Sequence, residues 1–91
     1  MDTFDTQAAL RLLKARLNRL PGDTSLDETL TARIEAEVGA LSRTGITLTD
    51  SADDMLLVVD GAAWAYQSRD KQAGPPEWLR IRRRERWLQQ R

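Results

Sequence analysis

Two stretches of the sequence carry residue types that could do chemistry. Asp50, Asp53 and Asp54 place three carboxylates within five residues, and Arg80, Arg82, Arg83, Arg84 and Arg86 place five guanidiniums within seven, followed directly by Trp87. A carboxylate cluster is the raw material of a hard-cation site, because such ions take several oxygen ligands. Here it lacks EF-hand spacing, a central glycine and a distant acidic partner. The run Ser51-Ala52-Asp53-Asp54 instead has the spacing of a helix start, where Ser caps the first amides and the acids face the positive end of the helix dipole. The arginine run admits three readings. Arg and Trp are enriched at interface hot spots, phosphate contacts also recruit arginines, and a solvated helix can lay its arginines over apolar neighbours while they pair with nearby acids.

The missing residue types narrow the field further. The chain has no cysteine and no histidine. Disulfides, thiolate nucleophiles, Cys- or His-ligated zinc and the Ser-His-Asp arrangement are thereby excluded. Catalysis would fall to carboxylates, Lys14, Lys71, Tyr66 or arginines, and helix spacing supplies no pair of carboxylates set for acid–base work. The five glycines form neither GxxxxGK[ST] nor GxGxxG, so no phosphate loop is present. The expectation is a protein that is not an enzyme and holds no cofactor or metal.

At 91 residues, with 41% hydrophobic and 31% charged side chains, the chain fits one small folded domain spanning residues 1–91. No run approaches the 18 or so apolar residues of a membrane span. Met1-Asp2-Thr3-Phe4-Asp5 has neither the basic nor the apolar region of a secretory signal. Charge is balanced overall but not along the chain. From Arg69 onward eight basic residues stand against three acidic ones, a net of +5, and residues 1–68 carry −5. Such asymmetry suits nucleic-acid contact by the tail or head-to-tail pairing between copies. The acidic body would oppose DNA, which favours pairing.

Four helices are predicted to position these groups, at about 6–19, 26–43, 52–69 and 76–90, giving an all-α bundle. Leu10, Leu13, Leu17 and Leu20 share one face of the first, which Asp5 or Thr6 caps and Pro21-Gly22 ends. Leu26, Leu30, Ile34, Val38 and Leu41 form the stripe of the second. Asp23, Thr24 or Ser25 is its expected cap, and Gly45 fits a left-handed stop. Ile46-Thr47-Leu48-Thr49 alternates apolar with polar and reads as a short extended connector. The third helix is apolar almost all round, with Asp60, Gln67 and Ser68 as its polar strip, and implies burial at the centre of a bundle or between subunits. Gly61 inside it costs about 1 kcal/mol relative to alanine and permits a close helix approach. In the fourth, after Gly74-Pro75-Pro76, Trp78, Ile81 and Leu88 share a face with Glu85 between them. Trp78 is the expected pin onto the bundle, and Trp87 falls on the other side among the arginines.

The second half has a recognisable layout. Asp50–Asp54 leads into Met55-Leu56-Leu57-Val58-Val59-Asp60-Gly61-Ala62-Ala63-Trp64-Ala65-Tyr66-Gln67-Ser68-Arg69-Asp70. A Gly-Pro hinge follows, and then Glu77-Trp78-Leu79-Arg80-Ile81-Arg82-Arg83-Arg84. Over about residues 25–91 this resembles the small helical head–tail connector proteins of tailed bacteriophages and prophages, also called adaptor or head-completion proteins. The resemblance implies a non-catalytic subunit that forms a cyclic ring beneath the phage portal protein, extends the DNA channel and offers a docking surface to a tail-side stopper or tail-completion protein. DNA would pass through without sequence-specific binding. The implied location is the virion head–tail junction, and the bacterial host cytoplasm during assembly. Met55, Leu56, Leu57, Val59, Trp64 and Tyr66 would divide between core and subunit contact. Arg80, Arg82, Arg83, Arg84, Arg86 and Trp87 would face a neighbour, the portal or the channel. The alternative is a small helical DNA-binding or regulatory protein that reads DNA with the arginine-rich helix.

Overall fold

The computed structural model describes residues 4–71 and 74–90. Met1, Asp2 and Thr3 at the start, Ala73 of the predicted hinge, and Arg91 lie outside the described residues. The chain folds into four α-helices, α1 (Thr6–Arg16), α2 (Asp27–Arg43), α3 (Ala52–Gln67) and α4 (Glu77–Gln89). The described residues contain no strand, and Ile46–Thr49 runs as an irregular connector with Ile46 buried and Leu48 half-buried. This is the small all-α bundle that the periodicity predicts.

Helix ends follow from local chemistry. Asp5 caps α1 by accepting from the Ala8 amide at 3.0 Å. The helix stops three residues sooner than predicted, because Asn18 takes a left-handed conformation (φ 60°). Its amide donates to the Ala15 carbonyl at 3.1 Å, and the Arg19 amide donates to that of Lys14 at 2.8 Å. Those two bonds satisfy carbonyls that the last turn would otherwise leave open. Gly45 does the same for α2 with φ 94°, its amide reaching Ser42 and the Ile46 amide reaching Leu41, both at 3.0 Å. None of the three expected caps serves α2. Asp23 turns instead to the amide and hydroxyl of Ser25, and the helix opens at Leu26 without a side-chain cap.

The core holds Ala9, Leu10 and Leu13 of α1, Leu30, Ile34 and Leu41 of α2, and Leu57, Val58, Val59, Ala62 and Ala63 of α3, with Ile46 and Leu79 closing its ends. α3 is central within a single chain: α1, α2 and α4 all pack on it. Its apolar circumference therefore needs no second subunit. Met55, Trp64 and Tyr66 are half-buried against the core, and Leu56 is exposed. Lys14 is buried in α1, where its ammonium bonds Asp27 at 2.9 Å and the Pro21 carbonyl at 3.0 Å, clamping the α1–α2 loop.

Gly61 has a definite steric reason. A Cβ there would collide with the carboxylate of Glu37, a buried acid of α2 that lies flat against α3. Gly39, on the outer side of α2, would meet only the tip of Arg43, at 3.3 Å. Gly39→Ala is expected to raise stability by up to about 1 kcal/mol through helix propensity. Gly61→Ala gains the same propensity but must displace a packed charged group, and is expected to lower stability by about 1–3 kcal/mol. Urea denaturation of the two variants side by side checks the opposite signs.

Candidate functional site

The arginine-rich helix lies against the body of the protein by its charged face. Leu79 is its one buried residue among those described, and Leu79 replaces Trp78 as the apolar pin. Beside Leu79 three guanidiniums point inward. Arg82 meets the Asp60 carboxylate at 2.6 Å, Arg83 pairs with Glu37, and Arg86 grips Asp54 with Nε at 2.6 Å and Nη2 at 3.1 Å. Arg86 also donates to the Thr47 carbonyl at 2.7 Å. The other oxygen of Asp60 takes Arg16 of α1. The ladder thus ties α4 to α2, α3 and the connector, and ties α1 into the same network.

Three of the residues expected to reach another molecule, Arg82, Arg83 and Arg86, are committed to acids of their own chain. These three pairings of the basic tail with the acidic body occur within the molecule. Arg80 and Arg84 are exposed, and no ion pair among the described residues engages them. Trp87 lies over Gly45, where a Cβ would come within 3.2 Å of its indole Nε1. Trp64 is half-buried in α3 against the core.

Asp54 belongs to this ladder, so it is not free to form a metal site with Asp50 and Asp53. Ser51 caps α3 as expected, its hydroxyl accepting from the Asp54 amide at 3.2 Å. The Asp54 carboxylate does not return the bond to Ser51. It accepts from the amide and hydroxyl of Thr49, at 2.8 and 2.9 Å, and from Arg86. No group of three or more acidic, His or Cys residues among the described residues is placed to hold a metal ion. Burial by itself would push the Asp54 carboxyl up. The bonds from Arg86 and Thr49 outweigh it and hold the carboxyl below its ordinary value, while the Asp54 bond raises Arg86.

The face that α4 leaves outside is the unexpected one. Ile81, Trp78 and Leu88 are 48%, 45% and 44% exposed, along the side of the helix opposite Leu79 and the inward arginines. The Trp78 ring is met by the Arg82 guanidinium, 5.9 Å from its centroid, and not by the core. Exposed Leu56 of α3 shares a shallow depression with Arg82, Glu85 and Gln89. Scattered exposed apolar residues are ordinary on any surface. Here three of them fall in a row on one helix, with Arg82, Arg83 and Arg86 turned inward. Compared with known proteins, the chain matches no family, no curated protein and no solved structure.

Sequence reasoning missed Glu37 and Asp60 as partners of α4. Their signal was nonetheless present: Glu37 falls on the stripe of Leu30, Ile34 and Leu41, and Asp60 adjoins the glycine of an otherwise apolar helix. Arg86→Ala would strand the buried Asp54 carboxylate, and is expected to cost about 3 kcal/mol or more. Arg84→Ala is expected to change stability by less than about 0.5 kcal/mol. Asp54 titrates lower in the folded chain than in the unfolded one. Its contribution is therefore full above the ordinary value of 3.8 and fades as pH falls below it. Acid titrations of stability are expected to show that fall in the wild type and a shallower one in Asp54→Asn.

Proposed function

We propose that this chain is a structural subunit of the head–tail junction of a tailed bacteriophage. In this reading it joins further copies in a ring beneath the portal protein, lengthens the DNA channel and presents a surface to a tail-side stopper or tail-completion protein. The observation that carries the reading is the outward apolar face of α4. Side chains such as Trp78, Ile81 and Leu88 gain free energy when a protein surface removes them from water, at about 25 cal/mol per Å². Their positions on one rigid helix suit a repeated, geometrically fixed contact. The layout of residues 25–91 adds the resemblance to phage connectors.

The DNA-reading alternative needs the arginines of α4 at the phosphates. Arg82, Arg83 and Arg86 are turned to Asp60, Glu37 and Asp54, and the outward side of the helix offers apolar side chains with Glu77 and Glu85 beside Arg80 and Arg84. Releasing Arg83 and Arg86 would leave the buried carboxylates of Glu37 and Asp54 unpaired, at about 3–5 kcal/mol for each. No described helix is long and apolar enough to cross a membrane.

Mixing the chain with its cognate portal and imaging the product by electron microscopy tests this function. A cyclic ring on the portal is expected. Ile81→Asp with Leu88→Asp is expected to abolish the ring without loss of helix content, since both positions are outside the core. Binding to free duplex DNA is expected to be weak at low salt. Tight DNA binding that collapses with rising salt, together with no portal complex, would contradict the proposal and favour the DNA-binding reading.

A further inference from the structure

The apolar row on α4 has edges of unlike charge. With 100° between successive helical residues, exposed Arg80 and Arg84, with Glu77 beside them, flank the Ile81–Leu88 row on one side, and Glu85 lies on the other, between Ile81 and Trp78. The outer face of α2 has the opposite arrangement. Ala32 and Ala36 form its floor, exposed Glu28 and Glu35 line one edge, Arg33 lies toward the other, and the Arg43 guanidinium lies over Gly39. No ion pair among the described residues engages Arg80, Arg84, Glu28 or Glu35. The large residues of one helix thus match a floor of small residues on the other, and each charged edge has its complement.

We infer that the outer face of α4 seats on the outer face of α2 of a second copy of this chain, with the two helices antiparallel. Viewed from its N-terminus, each helix carries the edge in question on the same rotational side of its contact face, basic on α4 and acidic on α2. Antiparallel packing brings same-side edges together. It sets Arg80 and Arg84 against Glu35 and Glu28 of the neighbour, and Glu85 toward the neighbour's Arg33. Ile81 then meets the floor between Ala32 and Ala36. Parallel packing would instead oppose Arg80 and Arg84 to the side of α2 that bears Arg33. The two faces differ, so the contact is heterologous: every copy offers both halves, and association continues until a ring closes. This inference rests on the reading of α4 as a subunit contact and names the surface that receives it.

Charge reversal followed by mixing tests it. The wild type is expected to associate as concentration rises in sedimentation velocity runs. Arg80→Glu with Arg84→Glu, and separately Glu28→Arg with Glu35→Arg, are each expected to weaken association by about a hundredfold. Circular dichroism should show all of them folded. An equimolar mixture of the two double variants pairs acidic α4 with basic α2, and basic α4 with acidic α2. It is expected to recover association to within about tenfold of the wild type. A mixture no tighter than either variant alone overturns the inference, as does a wild type that stays monomeric at millimolar concentration. Association that survives reversal at Glu28 and Glu35 but is lost in Ile81→Asp also overturns it. That last outcome would keep α4 as the contact and remove only its receiving face, while imaging on the portal judges the connector reading separately.

Discussion

The structure depends on the pairing of three arginines of α4 with three acids set into the body. Arg82, Arg83 and Arg86 reach Asp60, Glu37 and Asp54, and these contacts decide which side of α4 faces in. Ion pairs of this kind add little net stability, because removing the charges from water offsets most of their attraction. Their effect is on position. An acid already buried among apolar side chains becomes costly if its arginine leaves, so the register and rotation of α4 are fixed. With the charged side held inward, the apolar side has only solvent or another molecule to face.

The same pairs explain features that look incidental one at a time. Gly61 is a glycine inside an apolar helix because the Glu37 carboxylate occupies the space of its side chain. The Ile46–Thr49 connector is held without strand pairing because Asp54 accepts from Thr49 while Arg86 donates to the Thr47 carbonyl. Arg16 shares Asp60 with Arg82, so α1 and α4, distant in sequence, meet at one carboxylate of α3. The lopsided charge along the chain is thereby partly neutralised within the fold, and the remaining surface charges, such as Arg80, Arg84, Glu28 and Glu35, are those available to a partner.

Much of this was legible in the sequence. Apolar spacing of three and four located all four helices, and Asp5, Gly45 and Ser51 were recognisable as stops and caps from their chemistry. Asn18 was obscured by Pro21-Gly22, a stronger turn signal only a few residues on. The orientation of α4 was not legible, because pattern reading assumes that the apolar stripe faces the core. That assumption made Trp78 the expected pin and left the arginines to a partner. It fails where buried acids compete for the same helix. Reading Glu37 as a charged residue within an apolar stripe would have been the way to see it. The apolar circumference of α3 left two readings open, the centre of a bundle or a contact between subunits; within one chain α1, α2 and the charged side of α4 pack on it.

The most direct measurement of the central claim is thiol labelling at single cysteines, since the chain has none of its own. Cysteine would replace Leu79, Ile81 or Leu88 in turn, and labelling rates would be read in dilute free chain and again after assembly on the portal. The account predicts fast labelling at positions 81 and 88 and slow labelling at 79 in the free chain, with 81 and 88 becoming protected in the assembly. Protection of 81 and 88 in the dilute free chain, with 79 reacting freely, would mean that α4 lies with its apolar side inward and would contradict the account at its root.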